Sequence, residues 1–328
     1  MKIWKKKPQG QIKNNTQNRK EERFILCIDG GGMRGVIPLA VLEHFEKILR
    51  DRGIEKNIAS CFDLIAGTST GGLIALSLSC KKESSIEEIL NTYKKSGSTI
   101  FPQEQVGLFD LGSLRRLIAE KYPSTGIEKV LDSWFGDKKM ADASVPVMAV
   151  SYDLSIGKET LIRSWKEGDF PVKEAGRATT AAPTYFSPLV KGSSILADGG
   201  IIANNPSVYA YYEAKKLYPD CKKFHILSLS TGAKIHTMGS NQISGILNWA
   251  EDILPLYSNA QKRLADYLLY NNHEVEYTRV DAPLSESIRM DDVSVQAMEK
   301  LENFGKDMAL EYNELLLEFA EKLKRSGL

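Results

Sequence analysis

The chain has 328 residues, 43 Lys/Arg against 42 Asp/Glu, and 42% hydrophobic residues, which is ordinary globular composition with length for one large domain or two modest ones. A net charge of +1 gives no reason to expect a nucleic-acid polymer as partner, and no apolar run is long enough to cross a bilayer. The four cysteines, Cys27, Cys61, Cys80 and Cys221, lack C-x-x-C spacing, so they read as core thiols in a reducing setting and not as metal ligands or bridges.

The charge is unevenly placed. Residues 1–20 carry seven Lys/Arg and no acid, which leaves 36 basic against 42 acidic residues in the rest. A flexible basic arm over residues 1–22 is expected, with Ile3 and Trp4 adding some affinity for an anionic membrane surface. Its basic start runs into polar residues, unlike a secretory signal, so a cytoplasmic location is expected.

Phe24 to Ile28 reads as a strand, followed by Asp29-Gly30-Gly31-Gly32-Met33-Arg34-Gly35 and a helix from about Ile37 to Arg50. Consecutive glycines let several backbone N–H groups converge on one anion, and the helix adds its positive end. Gly30-x-Gly32-x-x-Gly35 also spells a dinucleotide fingerprint, but that motif wants an acid closing the next strand. Asp51 and Glu55 instead fall in the connection after the helix. A nucleotide- or phosphate-binding regulatory module remains the alternative use of this loop.

The next strand-like run, Cys61 to Ala66, leads into Gly67-Thr68-Ser69-Thr70-Gly71, with an apolar helix start from Gly72 to Leu78. This is G-x-S-x-G in the strand–turn–helix setting that exposes a serine nucleophile. Downstream, Ser85-x-x-Glu88 opens a helix with a capping box. Helices are also expected over Ser113–Tyr122 and Ile127–Phe135, with a loop over Pro102–Gly112. Ile100-Phe101-Pro102 and Val106-x-Leu108-Phe109 are apolar and loop-like, which suits a lid or interfacial patch and equally suits burial under the flanking helices. Strands are expected at 145–151, 159–163, 194–197 and 224–229, and long helices at 242–272 and 294–325, with a strand-like piece at Val275-x-Tyr277 between them. The alternation predicts an α/β fold with a largely parallel central sheet and helices on both faces. The expected organisation is the arm at 1–22, a catalytic domain at 23–232, and a helical C-terminal extension at 233–328 packed on the same domain.

A serine nucleophile needs a proton acceptor. Of His44, His225, His236 and His273, only His236, in a loop after Gly232, is placed for a conventional triad. Asp198-Gly199-Gly200 is the better candidate, because it follows the strand-like Ser194–Ala197 and precedes the polar Asn204-Asn205-Pro206.

Together the Asp29–Gly35 loop, the Gly67–Gly71 elbow and Asp198-Gly199-Gly200 resemble, in order, the three motifs of patatin-like phospholipases. Arg177 to Phe186 resembles a fourth block of that family, and Asp291-Asp292-Val293-Ser294 is a weaker echo. The resemblance covers roughly residues 24–231. It implies a patatin-like three-layer sandwich and a lipid acyl hydrolase with Ser69 as nucleophile and Asp198 as base. The Gly30–Gly35 backbone, including Met33 and Arg34, would stabilise the oxyanion, and no metal or other cofactor is implied. It further implies a phospholipid membrane surface as partner, with peripheral membrane association, and admits a homo-oligomer. Bacterial members of this size include effectors switched on by cyclic oligonucleotides in anti-phage defence, so a cyclic-nucleotide activator is also admitted.

Overall fold

The computed structural model describes residues 21–81, 85–103, 120–232, 253–284, 286 and 288–327. Residues 1–20 of the basic arm, His236, Val106, Leu108 and Phe109, the expected helix up to residue 119, and the stretch 242–252 lie outside the described residues.

Among the described residues, eight strands form one sheet: β1 (Glu22–Ile28), β2 (Leu64–Thr68), β3 (Val147–Asp153), β4 (Lys158–Arg163), β5 (Leu189–Lys191), β6 (Ser194–Asp198), β7 (Lys223–Leu229) and β8 (Val275–Val280). They run in the order β5-β6-β3-β2-β1-β7-β8, with β4 also paired to β3. Strands β3, β2, β1, β7 and β8 are parallel, whereas β4, β5 and β6 are antiparallel.

Alternation along each parallel strand divides the core. Phe24, Leu26 and Ile28 face one side with Ile65, Val147 and Leu227, while Ile25 and Cys27 face the other with Leu64, Met148 and Ile226. Both faces are therefore apolar, which is why these strands read as unbroken hydrophobic runs. The first face is covered by α1 (Val36–Asp51), α2 (Thr70–Cys80), α3 (Ile86–Ile100), α4 (Thr125–Phe135), α5 (Val172–Thr179), α8 (Val295–Glu311) and α9 (Asn313–Arg325). The second is covered by α6 (Ser207–Leu217) and α7 (Ile253–Tyr270). The result is the expected layered α/β fold with helices on both sides.

The stretch after residue 232 supplies β8, hydrogen-bonded in parallel register to β7 from Phe224↔Val275 to Leu229↔Val280, as well as helices. The apolar spacing over 294–325 predicts one helix, but the chain makes two. Ser294 caps α8 by accepting from the Ala297 N–H at 3.2 Å, and Tyr312 breaks the run with its hydroxyl donating to the Asp281 carbonyl at 2.6 Å. The expected capping box of α3 forms, with reciprocal 3.2 Å bonds between Ser85 and Glu88. The interfacial reading of Ile100 and Phe101 is overturned. They are 4% and 7% exposed, and Phe101 packs its ring on Tyr122 and Phe186. Burial offers these side chains more than a water-facing lid would.

The topology sets two chain ends against each other. Strand β3 has two edges, and β4 takes one of them along Met148–Asp153. Strands β2 and β6 must then share the other edge end to end, β2 opposite Val147–Val150 and β6 opposite Ser151–Asp153. Thr68 pairs with Val150 and Asp198 with Ser151, so the last residue of β6 meets the residue after β2, which is Ser69. Asp198 reaches the carboxyl edge of the parallel sheet by an antiparallel strand arriving from beyond it.

Candidate active site

The turn from β2 to α2 is the strained elbow its motif announces. Ser69 has φ 54° and ψ −123°, a conformation that L residues rarely adopt and that costs about 1–3 kcal/mol. A Cβ on Gly67 would fall 2.0 Å from the Gly71 carbonyl oxygen, and one on Gly71 would fall 2.1 Å from that of Ile28. Only glycine permits those backbones to pass. Thr68 and Thr70 are buried beside the serine. The Thr68 hydroxyl donates to the Ala203 carbonyl at 2.7 Å, and Thr70 shares a short hydrogen bond with the Tyr93 hydroxyl. Tyr93 in turn donates to the Gly32 carbonyl at 2.7 Å, which ties the elbow to the glycine loop.

Ser69 is partly exposed, and α2 begins directly after it, so the positive end of a fully buried apolar helix points at the nucleophile. The Ser69 N–H donates to Thr179 Oγ1 at 2.9 Å, and that hydroxyl donates to the Val150 carbonyl at 2.5 Å. Thr179 is the point at which the Arg177–Phe186 block meets the site. Arg177 is a strut set further back, bonded to Ser124, the Ser187 carbonyl and Glu128.

Asp198 stands beside the Ser69 side chain, which helps to hold its carboxyl down, and accepts the Gly200 N–H at 2.7 Å. Gly199 lets the chain turn against β3, since a Cβ there would come 2.4 Å from the Val150 carbonyl oxygen. Desolvation raises the Asp198 carboxyl from 3.8 to about 6, against the opposing pull of the Ser69 and Gly200 bonds. Among the described residues no Lys, Arg or His forms an ion pair with it.

The glycine loop after β1 is divided between donors already used and donors left free. The Gly30 N–H goes to the Asn204 carbonyl at 3.1 Å, Met33 to the Met290 carbonyl at 2.7 Å, and Arg34 to the Gly31 carbonyl at 3.2 Å. This narrows the expectation of a continuous Gly30–Gly35 donor set. Of the loop's leading N–H groups, Gly31 and Gly32 have no acceptor among the described residues. Gly32 sits at φ +56°, and Gly30 lies so close to the elbow that a Cβ on it would stand 3.2 Å from that of Ser69. Gly35 is buried against Thr70 and Tyr93 at the start of α1. The Arg34 guanidinium donates only to the Gly31 carbonyl, at 3.4 Å, and has no carboxylate partner among the described residues. Burial lowers it to about 10, which leaves it charged at neutral pH.

Two of the three described histidines have their rings engaged elsewhere. His44 bonds to Asn313 at 2.9 Å, and His225 stacks on Phe24 at the opposite end of β1, between Glu22 and Glu276. His273 lies in the turn before β8, at that same end of the sheet, where its backbone carbonyl accepts from Lys223. Sequence reasoning missed Thr179, and it missed a buried ion cluster behind the glycine loop. There the Asp29 carboxylate, fully buried, accepts from Arg279 at 2.9 and 2.7 Å and pairs with Lys262 at 3.2 Å.

The model of the patatin-like phospholipase family matches residues 26–211, more than half of the chain. The protein therefore belongs to the patatin-like phospholipase family, and it is an enzyme of that lipid-hydrolysing class. It is 28% identical to Patatin-like protein 2 of Arabidopsis thaliana over 87% of this chain and 82% of the relative. It is 27% identical to the cGAMP-activated phospholipase of Vibrio cholerae over 90% and 92%. A third relative, the calcium-independent phospholipase A2-gamma of Mus musculus, is 29% identical over 86% of this chain but only 38% of its own length.

Proposed function

We propose that this protein cleaves fatty acyl esters from membrane phospholipids with a Ser69–Asp198 dyad. The observation that carries the reading is a desolvated carboxylate with no counter-ion among the described residues, beside a serine held in a strained elbow. A solvated Asp is a poor base for an alcohol, and a carboxyl shifted to about 6 is a better one that stays ionised at neutral pH.

In this mechanism Ser69 Oγ attacks the ester carbonyl carbon while its proton passes to Asp198. The oxyanion settles on the Gly31 and Gly32 N–H groups of the loop before α1, beside the head of α2, and one such donor contributes about 3–4 kcal/mol to lowering the barrier. Collapse breaks the ester C–O bond, and the departing alkoxide takes the proton from Asp198. A water deprotonated by Asp198 then frees the fatty acid from Ser69. Arg34, charged and without a carboxylate partner among the described residues, suits the phosphate of the bound lipid.

Activation by a cyclic dinucleotide, and with it a defence role, is part of the proposal. The similarity to the cGAMP-activated phospholipase of Vibrio cholerae over nearly the whole chain supports it. Peripheral association with the bilayer and self-association belong to the same reading. The test is release of fatty acid from phospholipid vesicles with and without cGAMP. Ser69→Ala and Asp198→Ala, both folded, should lose activity at least a thousandfold, and His236→Ala should keep most of it. If a fluorophosphonate fails to label Ser69 and no ester is cleaved, the phosphate-binding reading of the glycine loop takes its place.

A further inference from the structure

Two consecutive residues of α7 touch both loops that frame the nucleophile. Gln261 donates from Nε2 to the Ile201 carbonyl at 2.9 Å and accepts the Asn204 N–H at Oε1 at 3.3 Å, holding the segment just after Asp198-Gly199-Gly200. Asn204 passes that hold on to the glycine loop. Its carbonyl accepts the Gly30 N–H at 3.1 Å, and its side-chain Nδ2 donates to the Gly30 carbonyl at 3.3 Å. Lys262, 6% exposed, turns inward and pairs with Asp29, the residue before Gly30.

Among the described positions of α7, Lys262, Ala265 and Leu269 are buried and Asp266 is half-buried beside them. Burying a lysine where an apolar residue could pack more cheaply points to a task beyond packing. Asp266 accepts from the Tyr277 hydroxyl at 2.8 Å and from Asn205 Nδ2 at 3.4 Å, so it too reaches the 201–205 segment. Burial pulls the Lys262 ammonium down from its ordinary value, while Asp29 supports its charge.

We propose that Gln261 and Lys262 are positioning residues of the reaction. They brace the glycine loop from its two sides, so that the free Gly31 and Gly32 N–H groups stay aimed at the point where charge develops over Ser69. Lys262 fixes the entry of the loop through Asp29, and Gln261 fixes its flank through Asn204. Neither side chain touches the ester. A displacement of the donors by a fraction of an ångström to an ångström is enough to matter, because misplacement on that scale costs up to about a hundredfold in rate. The inference rests on the dyad reading, since it presumes that the loop serves Ser69.

The experiment uses the full-length protein with a soluble short-chain ester, rates being normalised to active sites titrated with a fluorophosphonate. Gln261→Ala should lower kcat about tenfold, with KM changed less than twofold. It should weaken binding of a trifluoromethyl ketone, whose hemiketal oxyanion mimics the tetrahedral intermediate, by the same factor. Lys262→Met should do likewise, and the double variant should multiply the two losses if the braces are independent. A lower melting temperature with kcat and ketone affinity unchanged in Gln261→Ala would make α7 a structural element only and overturn the inference. Should Lys262→Met fail to fold, Gln261→Ala and Gln261→Glu, which loses the donor to Ile201 but keeps an acceptor for Asn204, decide the matter by the same readouts. Failure of the dyad reading is separable, because it would appear as activity surviving in Ser69→Ala or in Asp198→Ala.

Discussion

Asp29 and Asp198 both end a strand beside the nucleophile, and both are removed from water, yet their surroundings are opposite. Asp29 closes β1 with its carboxylate between the Arg279 guanidinium and the Lys262 ammonium, and Arg279 is bonded in turn to Ser228. Asp198 closes β6 with one backbone N–H and one serine hydroxyl for company, and desolvation raises it to about 6. Under the proposed dyad the two carboxylates divide the work: the one paired with Arg279 and Lys262 holds the glycine loop in place, and the one with no such partner among the described residues serves as the base.

Removing each charge should have effects of opposite sign on stability. Asp29→Asn leaves Arg279 and Lys262 buried without their main partner, and it should cost about 3–5 kcal/mol in urea unfolding at pH 7. Asp198→Asn removes a charge that the fold holds at a loss, and it should stabilise the inactive protein by about 1–3 kcal/mol at pH 8. The folded-state value of Asp198 is raised, so the folded protein takes up its proton before the unfolded chain does. Its destabilisation is therefore complete above about pH 6, fades as the pH falls toward 3.8, and is absent below that. The advantage of Asp198→Asn should disappear over the same window, and an advantage independent of pH would break the comparison. Ser69→Gly is the smallest effect. It relieves φ 54° at the elbow and should raise stability by about 1 kcal/mol while abolishing turnover.

What was legible in the sequence was local. Gly67 to Gly71 declares itself because the backbones crossing there demand glycine within five residues, and the Phe24–Ile28 run declares a strand buried on both faces. Asp198 was legible as the end of a strand before two glycines, but its antiparallel approach head-on to β2 was not. That depends on which edge of β3 each strand takes. Thr179, which holds the Ser69 N–H, lies 110 residues away, and Arg279 lies 250 residues from Asp29. No spacing pattern connects partners so distant. Arg279 and Lys262 belong to no motif that would mark them, and their burial follows from the packing of α7 and β8 around β1. Ile100 and Phe101 stayed undecided for a related reason, since an apolar pair at a helix end looks the same whether it meets lipid or, as with Phe101 here, Tyr122 and Phe186.

The central claim, that Asp198 and no histidine takes the proton from Ser69, is tested most directly by the pH dependence of kcat for a soluble ester. The profile should fall on the acid side as one protonation with a midpoint near 6, the value set by the burial of Asp198. That limb should be unchanged in His236→Ala. A limb that disappears in His236→Ala, with turnover falling by a thousandfold or more while the protein stays folded, would show that a histidine is the base and contradict the account.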